Sequence, residues 1–247
     1  MDLEISAICD VGLKRKNNED IILIGNAILR DEEKNFSVEI NPSGPFIAAV
    51  ADGMGGHKAG ELASAAVVER MRIRINTLPP GLSFKELKNI FDLEVKDTHE
   101  NLCEIGNTDD SKKGMGSTLI AVVFYENKIF MINAGDSRLY RFRRGILKQL
   151  SRDHSLAEIM GHNRNTSHLI LNSIGGGENV FIDFVDLTES LLEDDYILLC
   201  SDGLSDMITA EEIETILDDD PNIIGLTAAA KKAGGKDNIS IVLIKIG

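Results

Sequence analysis

Residues 46–64 read FIAAVADGMGGHKAGELAS. Phe46 to Ala51 is an unbroken apolar run, the mark of a strand covered on both faces. It stops at Asp52-Gly53. A glycine-dense loop, Gly53-Met54-Gly55-Gly56, follows, and a helix opens near Lys58. An aspartate where a buried strand ends is held by a rigid element yet faces a cleft. The same design recurs: Tyr196 to Cys200 ends in Ser201-Asp202-Gly203, and Ile129 to Ala134 leads into Gly135-Asp136-Ser137-Arg138. Lys236-Asp237-Asn238 stands just before the apolar run Ile239 to Ile246. If these strands share a sheet edge, the carboxylates converge. Two unit charges about 4 Å apart repel by roughly 4 kcal/mol at an effective dielectric near 20. Such a cluster needs protons or cations, and its oxygen donors suit Mg²⁺ or Mn²⁺.

The totals bound the rest. A chain of 247 residues that is 43% hydrophobic can bury a sizeable core, and residues 1–247 are expected to form one domain. The net charge is -14, with no basic block, which argues against a nucleic-acid partner. Acidity of this kind serves solubility first. Cys9, Cys103 and Cys200 lie far apart and form no CxxC, so neither a zinc knuckle nor a disulfide framework is signalled. Cys9 and Cys200 fall in apolar runs and read as core residues. MDLEISAICD lacks the features of a secretory signal, and no apolar stretch approaches a membrane span. The expectation is a cytoplasmic protein with no membrane contact.

Further strands are expected at Leu3 to Cys9 and Ile21 to Ile24, with a charged loop, DVGLKRKNNED, between them. Residues 30–44 are polar and read as a hairpin or exposed loop. From Glu61, Leu62, Ala65, Val68, Met71 and Ile75 give one helical face. Ser83 with Glu86 makes a capping box for a second long helix carrying Phe84, Leu87, Phe91, Val95, Leu102 and Ile105. Residues 116–150 read as a meander, and 151–177 as a short helix with a mobile loop. Strands return at Val180 to Val185 and Tyr196 to Cys200, helices at Thr209 to Leu217 and Pro221 to Ala233, and a last strand at Ile239 to Ile246. Asp218-Asp219-Asp220 reads as a solvated charge run, and His162 and His168 as solvated loop residues. Strands in runs with paired helices between them suggest largely antiparallel sheets with helices outside, an α+β architecture.

The motifs DVGLKRKNNED (10–20), ADGMGGHKAGELAS (51–64), GMGSTL (114–119), NAGDSRLY (133–140), SRDHSL (151–156), LLCSDGLSD (198–206) and GGKDNIS (234–240) occur in this order. Together they resemble the metal-dependent protein phosphatases of type 2C, the PPM family, in their bacterial form. The resemblance spans nearly the whole chain. It implies a sandwich of two antiparallel sheets flanked by helices, with a two-metal centre at one end. It further implies that Asp52 bridges two Mg²⁺ or Mn²⁺ ions, that the Gly53 carbonyl ligates one, and that Asp202 and Asp237 hold the other. Asp136 resembles the aspartate of a third, weaker ion. Glu19 and Asp20 resemble outer carboxylates that orient metal-bound water, and Arg15 matches the phosphate-binding arginine.

The implied reaction is hydrolysis of phosphoserine and phosphothreonine in proteins, with a metal-bridging water attacking phosphorus in line. Arg15 would take two phosphoryl oxygens in bidentate geometry. The leaving oxygen needs a proton, and His57 is a candidate donor, although Met54 stands where some eukaryotic relatives carry a histidine. The implied partners are a phosphorylated protein and an opposing Ser/Thr kinase, with the chain itself a monomer. The chain departs from the family between Asp153 and Gly175, where bacterial relatives carry a longer flap and a Thr-Arg pair in place of Asn172-Ser173. The short flap leaves two other readings: a catalytically weak module that binds phosphoproteins, and a two-metal hydrolase of small phosphomonoesters. GMGGHKAG is no P-loop, because it lacks Gly-Lys-Ser/Thr.

Overall fold

The computed structural model describes residues 1–41, 44–56, 58–160 and 169–247. His57, His162 and His168 therefore lie outside the described residues. The chain begins with β1 (Asp2–Asp10), β2 (Ile21–Ile24), β3 (Ala27–Leu29), β4 (Glu32–Glu39), β5 (Phe46–Ala51) and the short β6 (Gly53–Met54). Two long helices follow, α1 (Lys58–Asn76) and α2 (Phe84–Thr108). Then come β7 (Gly116–Ser117), β8 (Leu119–Tyr125), β9 (Lys128–Ala134), β10 (Arg138–Arg143), β11 (Ile146–Gln149) and α3 (Leu156–Met160). The chain closes with β12 (Asp183–Asp186), β13 (Tyr196–Cys200), α4 (Asp202–Ser205), α5 (Ala210–Asp219), α6 (Ile223–Lys232) and β14 (Ile239–Ile246).

Two six-stranded sheets result, ordered β11-β10-β13-β14-β1-β4 and β12-β9-β8-β5-β2-β3. Their pairings are antiparallel. The strand period of two explains how the layers stack. On β5, Ala48 and Val50 enter the core between the sheets, with Ile5, Val122, Leu199 and Ile244. Its alternate residues, Ile47, Ala49 and Ala51, meet Val67, Met71 and Phe91 of α1 and α2. On β14, Ile239, Ile241 and Leu243 pack with Leu204, Ile213 and Leu226 of α4, α5 and α6. Both central strands are thus covered on both faces, which is why they read as unbroken apolar runs. The α+β sandwich flanked by helices is as expected.

The capping box at Ser83 is present: the Glu86 N–H donates to Ser83 Oγ at 3.3 Å, and the Ser83 N–H donates to Glu86 Oε2 at 2.8 Å. Such a cap stabilises a helix start by about 1 kcal/mol. Among the described residues no helix is long and apolar enough to cross a membrane.

Several local readings are corrected. Residues 30–44 contain an eight-residue edge strand, β4, paired with β1; its mostly exposed side chains hide it from an apolar pattern. The meander is split, because β8 and β9 belong to one sheet and β10 and β11 to the other, so the chain changes sheets at Gly135-Asp136-Ser137. Leu62 is 40% exposed; α1 instead buries a seam of small residues, Ala59, Gly60, Ala63 and Ser64, that lets the helix approach the β6 loop closely. The expected strand 180–185 is shifted: β12 is Asp183–Asp186, which pairs with β9, and Val180 to Ile182 lie outside it.

Candidate metal centre

β5, β13 and β14 are brought together at one end of the sandwich. Asp52 follows β5, Asp202 opens α4 just after β13, and Asp237 precedes β14. A cavity of about 210 Å³ lies there, lined by Arg15, Glu19, Asp52, Gly53, Asp202 and Asp237, with Ile170 and Asn238 on its wall. Gly53 to Gly56 lines it as well. Asp20 and Asp136 do not line this cavity. Asp20 lies beneath it, 1% exposed, with Oδ2 accepting from Ser201 Oγ at 2.7 Å. Asp136 lies in the loop that follows β9, close enough for its charge to raise Asp52 and Asp202.

Each loop is tied to another strand. The Asp52 N–H donates to Thr118 Oγ1 at 3.0 Å, the Thr118 N–H donates to the Asp52 carbonyl at 2.9 Å, and Thr118 Oγ1 meets Ser137 Oγ at 2.8 Å. The Asp52 and Asp136 loops are thereby linked. Asn238 staples the first loop to the last: Nδ2 donates to the carbonyls of Val11 and Asn17 at 3.0 Å each, and Oδ1 accepts from the Glu19 N–H at 2.9 Å. Gly53 is required by close approach, since a Cβ there would stand 2.2 Å from the Gly60 carbonyl oxygen. At Gly60, a Cβ would stand 2.0 Å from Glu19 Oε2, so the Glu19 carboxyl rests against the first turn of α1.

The electrostatics are those of a centre short of positive charge. Burial is the largest cause raising the Asp52 carboxyl well above its ordinary value, followed by the charges of Asp20, Asp202, Asp136 and Asp237. Burial likewise raises Asp202 well above the usual range, with Asp136 and Asp237 next. Asp20 is pushed up to about 6, by burial against the lowering hydrogen bonds from Ser201 and Ser240. Asp136 is pushed up to about 6, by burial and then Asp153. Asp52 and Asp202 are open to the cleft over part of their side chains, but their carboxylates lie deep enough for burial to dominate. Among the described residues two cations answer them: Arg15 Nη2 pairs with Asp237 Oδ2 at 2.6 Å, and the Arg138 charge lowers Asp136. Asp202 Oδ1 is buried and has no hydrogen-bond partner among the described residues. A native fold rarely leaves a buried charged oxygen unmatched unless something else binds it.

The donor set fits divalent cations: hard carboxylate oxygens from three strand ends, an orphaned oxygen at Asp202, and a glycine whose backbone alone fits its place. Among the described residues no three Asp, Glu, His or Cys side chains by themselves stand around one point as a cation's shell. A backbone carbonyl such as that of Gly53 would have to contribute, and Arg15 would have to yield Asp237.

Sequence reasoning gave no role to Asn238, Ser201 or Thr118, although all three fall in the quoted motifs. The one readable signal was Asn238, an amide with two donors and an acceptor, placed between a ligand candidate and a strand.

The family model described as "Protein phosphatase 2C" matches residues 30–224. Protein phosphatase PhpP of Streptococcus pneumoniae is 31% identical over 263 aligned positions, which cover 99% of this chain and 98% of that protein. Serine/threonine phosphatase stp of Listeria welshimeri is 30% identical, covering 88% of this chain and 91% of that protein. Among solved structures, the S. agalactiae serine/threonine phosphatase superposes with a TM-score of 0.84 at 29% identity, over 99% of this chain and 100% of that one.

Proposed function

The chain belongs to the protein phosphatase 2C family, and we propose that it is a metal-dependent phosphatase hydrolysing phosphoserine and phosphothreonine esters in other proteins. The observation that carries this reading is the buried Oδ1 of Asp202, unpartnered among the described residues, beside the raised carboxyl of Asp52, in a cleft that also holds Arg15. Asp52, Asp202, Asp237 and the Gly53 carbonyl would hold two Mg²⁺ or Mn²⁺ ions, and Asp136, with its raised carboxyl, a third. When bound, such ions supply Lewis acidity and lower the pKa of water towards neutrality.

The chain's own residues do the rest. Arg15 is half-exposed and reaches the cleft edge, where its guanidinium can leave Asp237 for two phosphoryl oxygens. Glu19, anchored through Asn238 and Gly60, presents a carboxylate on the cleft wall. Asp20 anchors Ser201 and adds negative charge beneath the floor. The described lining holds no serine, cysteine or histidine, which supports direct attack by water over a covalent seryl or cysteinyl intermediate. His57 as proton donor lies outside the described residues.

The reading takes residues 1–247 as one catalytic domain that acts as a monomer in the cytoplasm and opposes a Ser/Thr kinase. It is tested by release of phosphate from a phosphothreonyl peptide by pure protein, with and without Mn²⁺. Mn²⁺-stimulated turnover is expected. Its absence, or equal turnover by Asp52→Asn, would overturn the reading.

A further inference from the structure

The turn between β3 and β4 stands outside the cleft, yet both of its residues reach the segment Asn18 to Asp20. Arg30 Nε donates to the Asp20 carbonyl at 3.0 Å. Arg30 Nη2 donates to the Glu61 carbonyl at 3.2 Å and to Ser64 Oγ at 3.0 Å, both on the first turns of α1. Ser64 Oγ in turn donates to the Glu19 carbonyl at 2.6 Å. Asp31 Oδ1 accepts from Asn18 Nδ2 at 2.9 Å, and Asn18 Oδ1 accepts from the Asp20 N–H at 3.1 Å. Asp31 holds a left-handed φ of 55°, a conformation that costs a non-glycine residue energy and persists only where neighbours fix it.

All three of these Arg30 acceptors are uncharged. A guanidinium so used acts as a rigid fork that fixes distances between backbone segments. It joins the Asp20 carbonyl to the start of α1, and the neighbouring Glu19 carbonyl, held by Ser64, also accepts from the Gly53 N–H at 3.2 Å. The clamp thus ends on two segments hydrogen-bonded to each other, one carrying the Glu19 carboxylate and the other the Gly53 carbonyl.

We infer that the Arg30-Asp31 turn is a clamp that sets the spacing between Glu19–Asp20 and the first turn of α1, and through it the cation affinity of the cleft. Arg30 is a positioning residue, and Asp31 holds the turn in place. The inference rests on the reading of the cleft as a cation centre.

The test compares wild type, R30K, R30M, D31N and R143M by calorimetric titration of the metal-free chain with Mn²⁺, with folding checked by thermal melt. Arg143 pairs with Asp195 far from the cleft and controls for general loss of an arginine. R30K and R30M are expected to weaken Mn²⁺ binding by roughly 10-fold, the scale typical of residues that orient ligands; whichever of the two folds gives the result. D31N keeps an oxygen acceptor and tolerates the left-handed turn, so it retains wild-type affinity; R143M does too. Hydrogen exchange of the metal-free chain gives a second readout: the Gly53 and Asp20 amides exchange faster in R30K, while those of β14 do not. Folded R30K and R30M that bind Mn²⁺ as tightly as wild type would overturn the clamp alone. A wild-type chain that binds no Mn²⁺ would overturn the cation reading itself.

Discussion

Asp195 and Asp202 flank opposite ends of β13, and the chain treats them in opposite ways. Asp195, 1% exposed, accepts from Arg143 Nε at 2.5 Å, from Arg143 Nη2 at 2.6 Å and from the Leu192 N–H at 2.8 Å. Its charge is balanced inside the molecule. Asp202 has a buried oxygen with no partner among the described residues and a carboxyl raised by burial and by its acidic neighbours. Removing one partner of a buried pair is costly, whereas a charge left unpaired destabilises the fold from the start. The far end of the strand is completed by the chain's own contacts; at the cleft end the described residues leave one Asp202 oxygen without a hydrogen bond.

The contrast can be broken at several points. The largest effect belongs to Asp202→Asn, which should lower phosphopeptide turnover by roughly 10³-fold, the scale of losing a preorganised electrostatic group. The same variant should melt at or above the wild-type temperature when metal-free, because a buried charge is gone. Activity near wild type would show that Asp202 has no part in the centre. Asp195→Ala should do the reverse. It loses hydrogen bonds to a charged group and about 2–3 kcal/mol of stability by urea unfolding, with turnover per folded molecule unchanged.

Cation linkage sharpens the contrast further. Mn²⁺ at 100 times its dissociation constant should stabilise wild type and Asp195→Ala by about 2.7 kcal/mol in thermal melts. Asp202→Asn should gain much less, and an equal gain would place the binding elsewhere. The smallest effect is on pH. Carboxyls raised in the folded state destabilise it once ionised, so the penalty is absent below the ordinary aspartate value near 4. It grows between about 4 and 6 for Asp20 and Asp136 and extends higher for Asp52 and Asp202. The metal-free chain should therefore melt a few degrees higher at pH 5 than at pH 7.5, and saturating Mn²⁺ should flatten that slope. A metal-free melt that falls on acidification would show that these carboxyls are not raised.

Much of this architecture could be read from residue order, and the reasons are local. β2, β5, β13 and β14 were found end to end, because strands covered on both faces advertise themselves by composition. Asp52, Asp202 and Asp237 followed from them, as acidic residues within two positions of where those runs stop or start. β4 was hidden because Phe36 and Val38 are its only apolar residues and both are only partly buried. The crossing at Gly135-Asp136-Ser137 was hidden because a turn does not state which sheet the next strand joins. Asn238, Ser201 and Arg30 were hidden for a third reason: their partners lie far along the chain, and no spacing records a hydrogen bond between distant segments. The face of α1 was misread at Leu62 because small residues carry little hydrophobic weight, although they decide how closely a helix can approach.

The adjacency of β1 and β14 in the middle of their sheet has a consequence for biosynthesis. Arg15 and Glu19 are translated early, whereas Asp237 and Asn238 emerge more than two hundred residues later, together with the strand that must slot between β13 and β1. Until that strand leaves the ribosome, half of the sandwich lacks its centre and the cleft lacks one wall. A nascent chain stalled short of Asp237 would lack both the middle of that sheet and one wall of the cleft, so the molecule completes its fold and its cleft in the same step.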